Sequence, residues 1–164
     1  MHENFGLAPC VCSLHVPVRR GFDCKGAEME MQGGCYCGSV RYEVSKPPLM
    51  SAQCHCRECQ FFSGGGPNMY ILLPPDSLAY SQGAPNSYAR GDLDNAVTRQ
   101  FCGGCGTHIT TLRQDMPYIV LKAGTLDDPA QYGQPAMAIY TCDQQPFHMI
   151  PEGIPTFEGL PPRR

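Results

Sequence analysis

Residues 33–38 read Gly-Gly-Cys-Tyr-Cys-Gly and residues 102–106 read Cys-Gly-Gly-Cys-Gly, which makes two cysteine turns flanked by glycine. Glycine allows positive φ angles, and these turn backbone N–H groups toward the sulfurs of a turn. Two such turns, far apart in the chain, could bind one zinc ion together and fix an early strand to a late one. Ordinary buried cysteines in tight turns are the alternative, although paired cysteines at short spacing favour zinc where disulfides are not expected.

A third cluster, Cys-His-Cys-Arg-Glu-Cys at residues 54–59, places three more cysteines close together. Four thiolates complete a tetrahedral shell, as structural zinc requires, whereas three leave a position for water or an incoming thiol, as catalytic zinc requires. A fourth protein ligand would close this second site, and the candidates are His55, His108, His148, Cys24 and Cys142. A redox or metal-storage patch is a further alternative, because thiolates near Arg57 would be prone to oxidation without metal.

The composition indicates one globular domain outside the secretory route. The 164 residues with 42% hydrophobic content are enough for a single core, and a net charge of −3 argues against a nucleic-acid surface. No apolar run approaches the ~20 residues of a membrane span, and the N-terminus lacks the pattern of a secretory signal. We therefore expect a cytoplasmic protein, in which eleven cysteines stay reduced and are better explained by metal than by disulfides.

The regular pattern begins at Gly33. Residues 1–32 lack a sustained helical or strand period, and we interpret them as a loosely structured N-terminal extension that contains Cys10, Cys12 and Cys24. The weaker alternative is that this segment folds over the domain and uses one of its cysteines there. Residues 33–161 are the predicted zinc-binding domain.

Short apolar runs and alternations predict a mainly β fold. Strands are expected at residues 40–44, 69–73, 96–101, 109–112, 118–122 and 137–140. One helical turn is expected around residues 56–62, and Asp-Asp-Pro at residues 127–129 predicts the start of another short turn. The predicted architecture is a set of short antiparallel strands tied together by the cysteine turns.

Five segments, in order, resemble the glutathione-dependent formaldehyde-activating enzyme family. They are Gly-Cys-Tyr-Cys-Gly-Ser-Val-Arg-Tyr at residues 34–42, Cys-His-Cys-Arg-Glu-Cys-Gln at 54–60, Phe-Cys-Gly-Gly-Cys-Gly-Thr at 101–107, Ala-Gly-Thr-Leu-Asp-Asp-Pro at 123–129 and Gly-Ile-Pro-Thr-Phe at 153–157. The resemblance implies a β-tent fold, a small twisted antiparallel assembly. It also implies two zinc ions per chain.

The resemblance further implies which cysteines hold each ion. The structural zinc would be bound by Cys35, Cys37, Cys102 and Cys105. The catalytic zinc, which we expect to be the more labile ion, would be bound by the catalytic residues Cys54, Cys56 and Cys59.

The activity implied by the resemblance is condensation of formaldehyde with glutathione to S-(hydroxymethyl)glutathione, formally a carbon–sulfur lyase reaction in reverse. The expected partners are glutathione and an aldehyde, without nucleic acid or membrane, and a homo-oligomer is compatible with the sequence. One alternative is the same chemistry on another thiol, carbonyl or thioether in a biosynthetic pathway. The other is a non-enzymatic zinc module, since centromere protein V resembles the same family and has a chromosomal role.

One departure from the family pattern leaves the substrate open. The family often carries a Trp after its last core strand, where this chain has Gln-Pro-Phe-His at residues 145–148 and contains no Trp anywhere.

Overall fold

The computed structural model describes residues 31–162, and they form a mainly β structure, as predicted. The strands are β1 (Met31–Gly34), β2 (Arg41–Val44), β3 (Met50–Cys54), β4 (Asn68–Leu73), β5 (Leu78–Gln82), β6 (Asn86–Tyr88), β7 (Thr98–Phe101), β8 (His108–Arg113), β9 (Met116–Lys122), β10 (Ala138–Ile139) and β11 (Thr156–Phe157). The helix α1 spans Arg57–Phe62, and short 3₁₀ helices span Ala123–Thr125, Pro129–Tyr132 and Thr141–Asp143.

The strands form two sheets. The smaller has the order β1-β2-β5, and the larger has the order β11-β10-β3-β4-β9-β8-β7-β6. Most neighbours are antiparallel, as the sequence predicted, but β10 pairs in parallel with both β3 and β11. β10 has only two residues, so this parallel edge is short.

The main core lies between the small sheet and one face of the large sheet. Tyr42 from β2 is buried in one hydrophobic cluster with Ile71 of β4, Ile109 of β8 and Leu121 of β9. The hydroxyl of Tyr42 hydrogen-bonds Thr125 Oγ1 at 2.9 Å, which satisfies its polar end. Burial raises the pKa of Tyr42 to about 12, and the phenol therefore stays neutral in this core.

Successive residues of a strand point to opposite faces, and this separates the core from a second apolar surface. In β4, Ile71 and Leu73 belong to the main core, whereas Tyr70 and Leu72 belong to a second cluster on the opposite face. The second cluster also contains the three cysteines of the 54–59 segment. One layer of strands therefore supplies both the core and the surroundings of the candidate site.

Gly33 allows β1 to pack closely under this assembly. It forms a bridge with Leu126, and a Cβ atom at Gly33 would overlap the carbonyl oxygen of Thr125 and the hydroxyl of Tyr42. The adjacent hydrogen bond from Asp127 N to Gln32 O, at 3.1 Å, ties β1 to the segment that follows β9. The glycine before the first cysteine turn is thus required by packing.

The six predicted strands and the helical turn are all present, with bounds that differ by a few residues. The turn predicted at Asp127-Asp128-Pro129 is the 3₁₀ helix Pro129–Tyr132, where Asp128 Oδ1 accepts a hydrogen bond from Ala130 N. The sequence did not predict β1, β3, β5, β6 or β11.

The predicted N-terminal extension lies almost wholly outside the described residues, as do Cys10, Cys12 and Cys24. β1 begins at Met31, just before the predicted domain start at Gly33, and the domain boundaries stay predictions. Within residues 31–162, no helix is long and apolar enough to cross a membrane.

Candidate metal centres and cavity

The two glycine-flanked turns bring four sulfurs together. Cys35 and Cys37 follow β1, Cys102 and Cys105 follow β7, and their Sγ atoms all lie within 4.8 Å of one another. Each turn is closed by backbone hydrogen bonds, from Cys35 N to Val40 O at 3.0 Å and from Cys102 N to Thr107 O at 2.9 Å. The sequence placed these cysteines in one cluster, and in the structure they are neighbours.

Hydroxyl and amide groups surround these four sulfurs. Ser39 Oγ lies 3.0 Å from Cys37 Sγ and 3.3 Å from Cys102 Sγ, and the Val40 N–H donates to Cys35 Sγ at 3.2 Å. Thr107 Oγ1 lies 3.2 Å from Cys105 Sγ, and this hydrogen bond lowers the pKa of Cys105 to about 5. Four thiols with donors that favour thiolates fit the requirements of a closed zinc site, and the cluster could hold a metal ion.

The other three cysteines lie on one local segment. Cys54 ends β3, Cys56 is the N-cap of α1, and Cys59 lies in the first turn of that helix. The Cys59 N–H donates to Cys56 Sγ at 3.4 Å, so the side chain that caps the helix belongs to the cluster. Their sulfurs also lie within 4.8 Å of one another, and this group too could hold a metal ion.

The thiols of this group differ in how readily they lose a proton. The neighbouring Cys54 thiol hydrogen-bonds the Cys56 sulfur and lowers the pKa of Cys56 to about 2, and the pKa of Cys54 rises. Three thiolates this close together would repel one another, so the group fits a metal cation that would compensate all three sulfurs. The donor set of three cysteines matches the number of protein ligands in many catalytic zinc sites.

None of the residues proposed to close this group is seen to join it. Within residues 31–162, His55, His108, His148 and Cys142 do not join the three sulfurs, and Cys24 is outside the described range.

His55 is fully buried, and its Nδ1 lies 3.0 Å from Nδ1 of His148. His148 Nε2 lies 2.8 Å from the Gly65 carbonyl oxygen. This histidine pair therefore links the cysteine segment to the loop after Thr141–Asp143. Cys142, also named as a candidate fourth ligand, is exposed. It lies in the 3₁₀ helix Thr141–Asp143, whose N-cap residue Tyr140 adopts a left-handed conformation with φ of 56°.

The three cysteines lie at the wall of a cavity of about 620 Å³. Its floor is the face of the large sheet opposite the main core. A register shift in the β7–β8 pair, between Gln100 and Phe101, brings His108 onto this face. His108 Nε2 lies 3.1 Å from Thr111 Oγ1, and burial lowers the pKa of His108 to about 3, which keeps the ring neutral.

Charged side chains gather around the same cavity. Arg99 pairs with Glu58 of α1 at 2.6 Å, and its guanidinium carbon lies 4.1 Å from the ring centroid of Phe62. Lys122 ends β9, donates a hydrogen bond to Asn68 Oδ1 at 2.9 Å, and has its pKa lowered to about 8 by burial. The sequence did not single out Lys122, although the alternation along β9 indicates that it shares a face with residues 118 and 120.

The five arginines within residues 31–162 fall into two groups. Arg57, Arg99 and Arg113 line the cavity. Arg41 is paired with Asp127, and Arg90 is paired with Asp92, both away from the cavity.

Comparisons with known proteins identify a family, a curated relative and a similar fold. A family model described as glutathione-dependent formaldehyde-activating enzyme matches residues 30–143. A Halomonas elongata protein provisionally named as such an enzyme is 28% identical over 97 residues, which cover 56% of this chain and 62% of that protein. The chain thus spans about three-fifths of the length of that curated relative. A crystal structure of a Rhodobacter sphaeroides protein superimposes with a TM-score of 0.51 at 22% identity, covering 64% of this chain and 97% of the other, and it supports the fold.

Proposed function

The chain belongs to the glutathione-dependent formaldehyde-activating enzyme family, and from this premise we propose that it joins a small thiol to an aldehyde. The default pair is glutathione and formaldehyde, which give S-(hydroxymethyl)glutathione. The reaction forms a carbon–sulfur bond and is formally a lyase reaction in reverse. The observation that carries the proposal is the group of three thiols, Cys54, Cys56 and Cys59, at the wall of a cavity large enough for a small-molecule ligand.

We assign the two cysteine groups to two zinc ions with different roles. Cys35, Cys37, Cys102 and Cys105 would hold a structural ion, and Cys54, Cys56 and Cys59 would hold a catalytic one. When bound at the three-cysteine group, zinc supplies a Lewis acid that lowers the pKa of a thiol or polarises an oxygen.

Lys122 is the residue that we assign to proton transfer. When a thiol sulfur attacks the aldehyde carbon, the carbon–oxygen double bond opens and the oxygen must take up a proton. The Lys122 ammonium lines the cavity with the cysteines, and Asn68 fixes its position through the 2.9 Å hydrogen bond. We propose that Lys122 donates to the developing oxyanion and recovers a proton from the thiol, so that the net change is transfer of the thiol proton to oxygen.

The positively charged side chains around the cavity favour the binding of a thiol substrate that carries carboxylates. Four cationic side chains line the cavity, Arg57, Arg99, Arg113 and Lys122, against two acidic ones, Glu58 and Asp143. Two of the arginines also form ion pairs, Arg99 with Glu58 and Arg113 with Asp115, so Arg57 and Lys122 are the cations that these pairs leave for a substrate. Glutathione carries two carboxylates, and arginine binds carboxylates through paired N–H groups. An excess of cations would also favour the approach of such a substrate.

The test is exchange spectroscopy by NMR on a mixture of formaldehyde and glutathione, with and without zinc-loaded protein. The equilibrium position cannot change, so a faster exchange reports catalysis. We expect acceleration that disappears in Cys54→Ser and Cys56→Ser and persists in Cys142→Ser, because Cys142 is exposed and belongs to neither cysteine group. Unchanged turnover in Cys56→Ser would contradict the assignment of the reaction to this group.

A further inference from the structure

On the floor of the cavity, the side chains change from apolar on β3, β4 and β9 to cationic on β7. Strand register places Met50 opposite Leu72, Leu72 opposite Val120, Val120 opposite Thr111, and Thr111 opposite Arg99. All five side chains line the cavity. A single cross-strand row therefore runs from three apolar residues through a threonine to an arginine.

The apolar end of this row is part of a larger half-buried surface. Met50, Leu72 and Val120 pack against the second hydrophobic cluster, whose buried members include Tyr70 and Ile139. The cluster includes the three cysteine sulfurs, so the apolar surface is continuous with the reacting site. These side chains remain only partly buried, although their neighbours on the opposite face are fully packed.

Formaldehyde and glutathione leave this surface without a ligand. The carbon of formaldehyde bears only hydrogen atoms, and glutathione is a polar peptide with two carboxylates. Apolar surface contributes to binding when it is removed from water against an apolar group. A cavity of about 620 Å³ lies in the size range of pockets that enclose substantially larger ligands.

The positions of the polar groups fix the direction of such a ligand. Lys122 lies opposite Tyr70 in the β4–β9 pair. Along β9, Lys122 is two residues from Val120, which separates their Cα atoms by about 7 Å. Along β3, Cys54 and Met50 are separated by about 13 Å. A carbonyl held at Lys122 and the cysteines would place its substituent on Val120 and then on Leu72 or Met50.

We propose that the aldehyde substrate carries an apolar chain or ring, which lies on Met50, Leu72 and Val120 while the carboxylates of the thiol face the arginines of β7 and β8. The inference rests on the proposed function and narrows its substrate class. The reaction is unchanged in kind: the sulfur–carbon bond forms, the carbonyl π bond breaks, and the thiol proton ends on oxygen without an oxidant or reductant.

The experiment compares glutathione exchange with formaldehyde, hexanal and glyoxylate on zinc-loaded full-length protein. For each aldehyde, the catalysed rate is divided by the uncatalysed rate in the same buffer, which removes differences in intrinsic reactivity. We expect the acceleration for hexanal to exceed that for formaldehyde at least about tenfold, since one methylene in an apolar pocket can change specificity by this factor. Glyoxylate, which is small and anionic, should show no such gain.

Variants separate the apolar surface from general effects on the site. Val120→Thr replaces a methyl group with a hydroxyl at nearly constant volume, and Leu72→Ala shortens the neighbouring side chain. Both should reduce the ratio of hexanal to formaldehyde acceleration several-fold, whereas loss of folded protein would lower both rates together. Met149→Thr is the control, because Met149 is 80% exposed and does not line the cavity.

The outcomes distinguish this inference from the proposed function. Acceleration for formaldehyde that equals or exceeds that for hexanal would overturn the apolar substrate and leave the thiol–aldehyde activity intact. A hexanal preference that is unchanged in both Val120→Thr and Leu72→Ala would also overturn it. Acceleration for none of the three aldehydes would overturn both proposals.

Discussion

The two cysteine groups differ in how much of the chain they connect. Cys37 and Cys102 are neighbours at 3.7 Å although 65 positions separate them, whereas Cys54, Cys56 and Cys59 all lie within one strand end and one helix turn. The first group is surrounded by hydroxyl and amide donors, and the second belongs to an apolar cluster beside a cavity. We therefore expect zinc bound at the four-cysteine group to stabilise the fold, and zinc bound at the three-cysteine group to determine the catalytic rate.

The largest expected effect separates the two groups by stability. Closing a 65-residue loop with a cross-link restricts the unfolded chain by about 4 kcal/mol, against about 2 kcal/mol for the six residues from Cys54 to Cys59. Cys102→Ser breaks the four-thiolate shell and should lower the free energy of unfolding by up to about 4 kcal/mol, the full value applying when zinc is lost and Cys105 no longer links the two turns. Thermal and urea unfolding of zinc-loaded protein measure this, with Cys56→Ser as the matched variant. Equal losses of unfolding free energy in Cys102→Ser and Cys56→Ser would refute the assignment of the structural role to the four-cysteine group.

Lys122 offers the next largest effect, this time on rate. Lys122→Met removes the proposed proton donor and should reduce the acceleration of formaldehyde–glutathione exchange about 100-fold. Stability should fall by only about 1 kcal/mol, for the hydrogen bond lost to the buried Asn68, because methionine fills a similar apolar volume without a buried charge. Lys122→Arg tests the role further, since arginine keeps the charge but cannot give up its proton. Full activity in Lys122→Met would remove this residue from the mechanism.

A packing variant tests the frame that holds the four-cysteine group. Gly33→Ala would place a Cβ against the Thr125 carbonyl and the Tyr42 hydroxyl, and it should cost about 2 kcal/mol of unfolding free energy. Gly91→Ala is the control, because nothing lies within 4 Å of a Cβ built there. Urea denaturation of both variants gives the comparison, and similar midpoints would contradict the close packing of β1.

The smallest expected effect concerns the donors around the four-cysteine group. Ser39→Ala removes the hydroxyl that lies within 3.3 Å of both Cys37 Sγ and Cys102 Sγ, and zinc affinity should fall about tenfold. Competition with a chromophoric chelator measures the change. Ser81→Ala, at an exposed position of β5, should leave the affinity unaltered. A shift of equal size in the control would rule out a specific role for Ser39.

The cysteine groups could be predicted from the sequence because their spacing is local and their chemistry is distinctive. β3 could not, since residues 50–54 read Met-Ser-Ala-Gln-Cys, which has neither a clear alternation nor a strong apolar run. Gln53 in this strand is nevertheless buried, because its neighbours β4 and β10 cover it on both sides. Tertiary context outweighs intrinsic preference in such a strand.

The cavity could not be predicted from the sequence either. Lys122, Asn68 and Cys54 come from three different strands, and only the register of pairing brings them to one place. The contact of His55 with His148 spans 93 positions and has no local signature. Short motifs therefore located the two cysteine groups, but the other residues that line the cavity depend on the fold.

The alternation along β4 and β9 has a practical consequence for engineering. In these two strands, even-numbered positions such as Leu72 and Val120 face the cavity, and odd-numbered positions such as Ile71 and Leu121 face the core. A library restricted to the half-buried even positions, such as Leu72 and Val120, would vary the cavity surface while leaving the main core unchanged. Because side chains alternate between the two faces, a one-residue shift in the register of either strand would move the cavity residues into the core and the core residues into the cavity. The cavity surface therefore depends on strand register as well as on residue type.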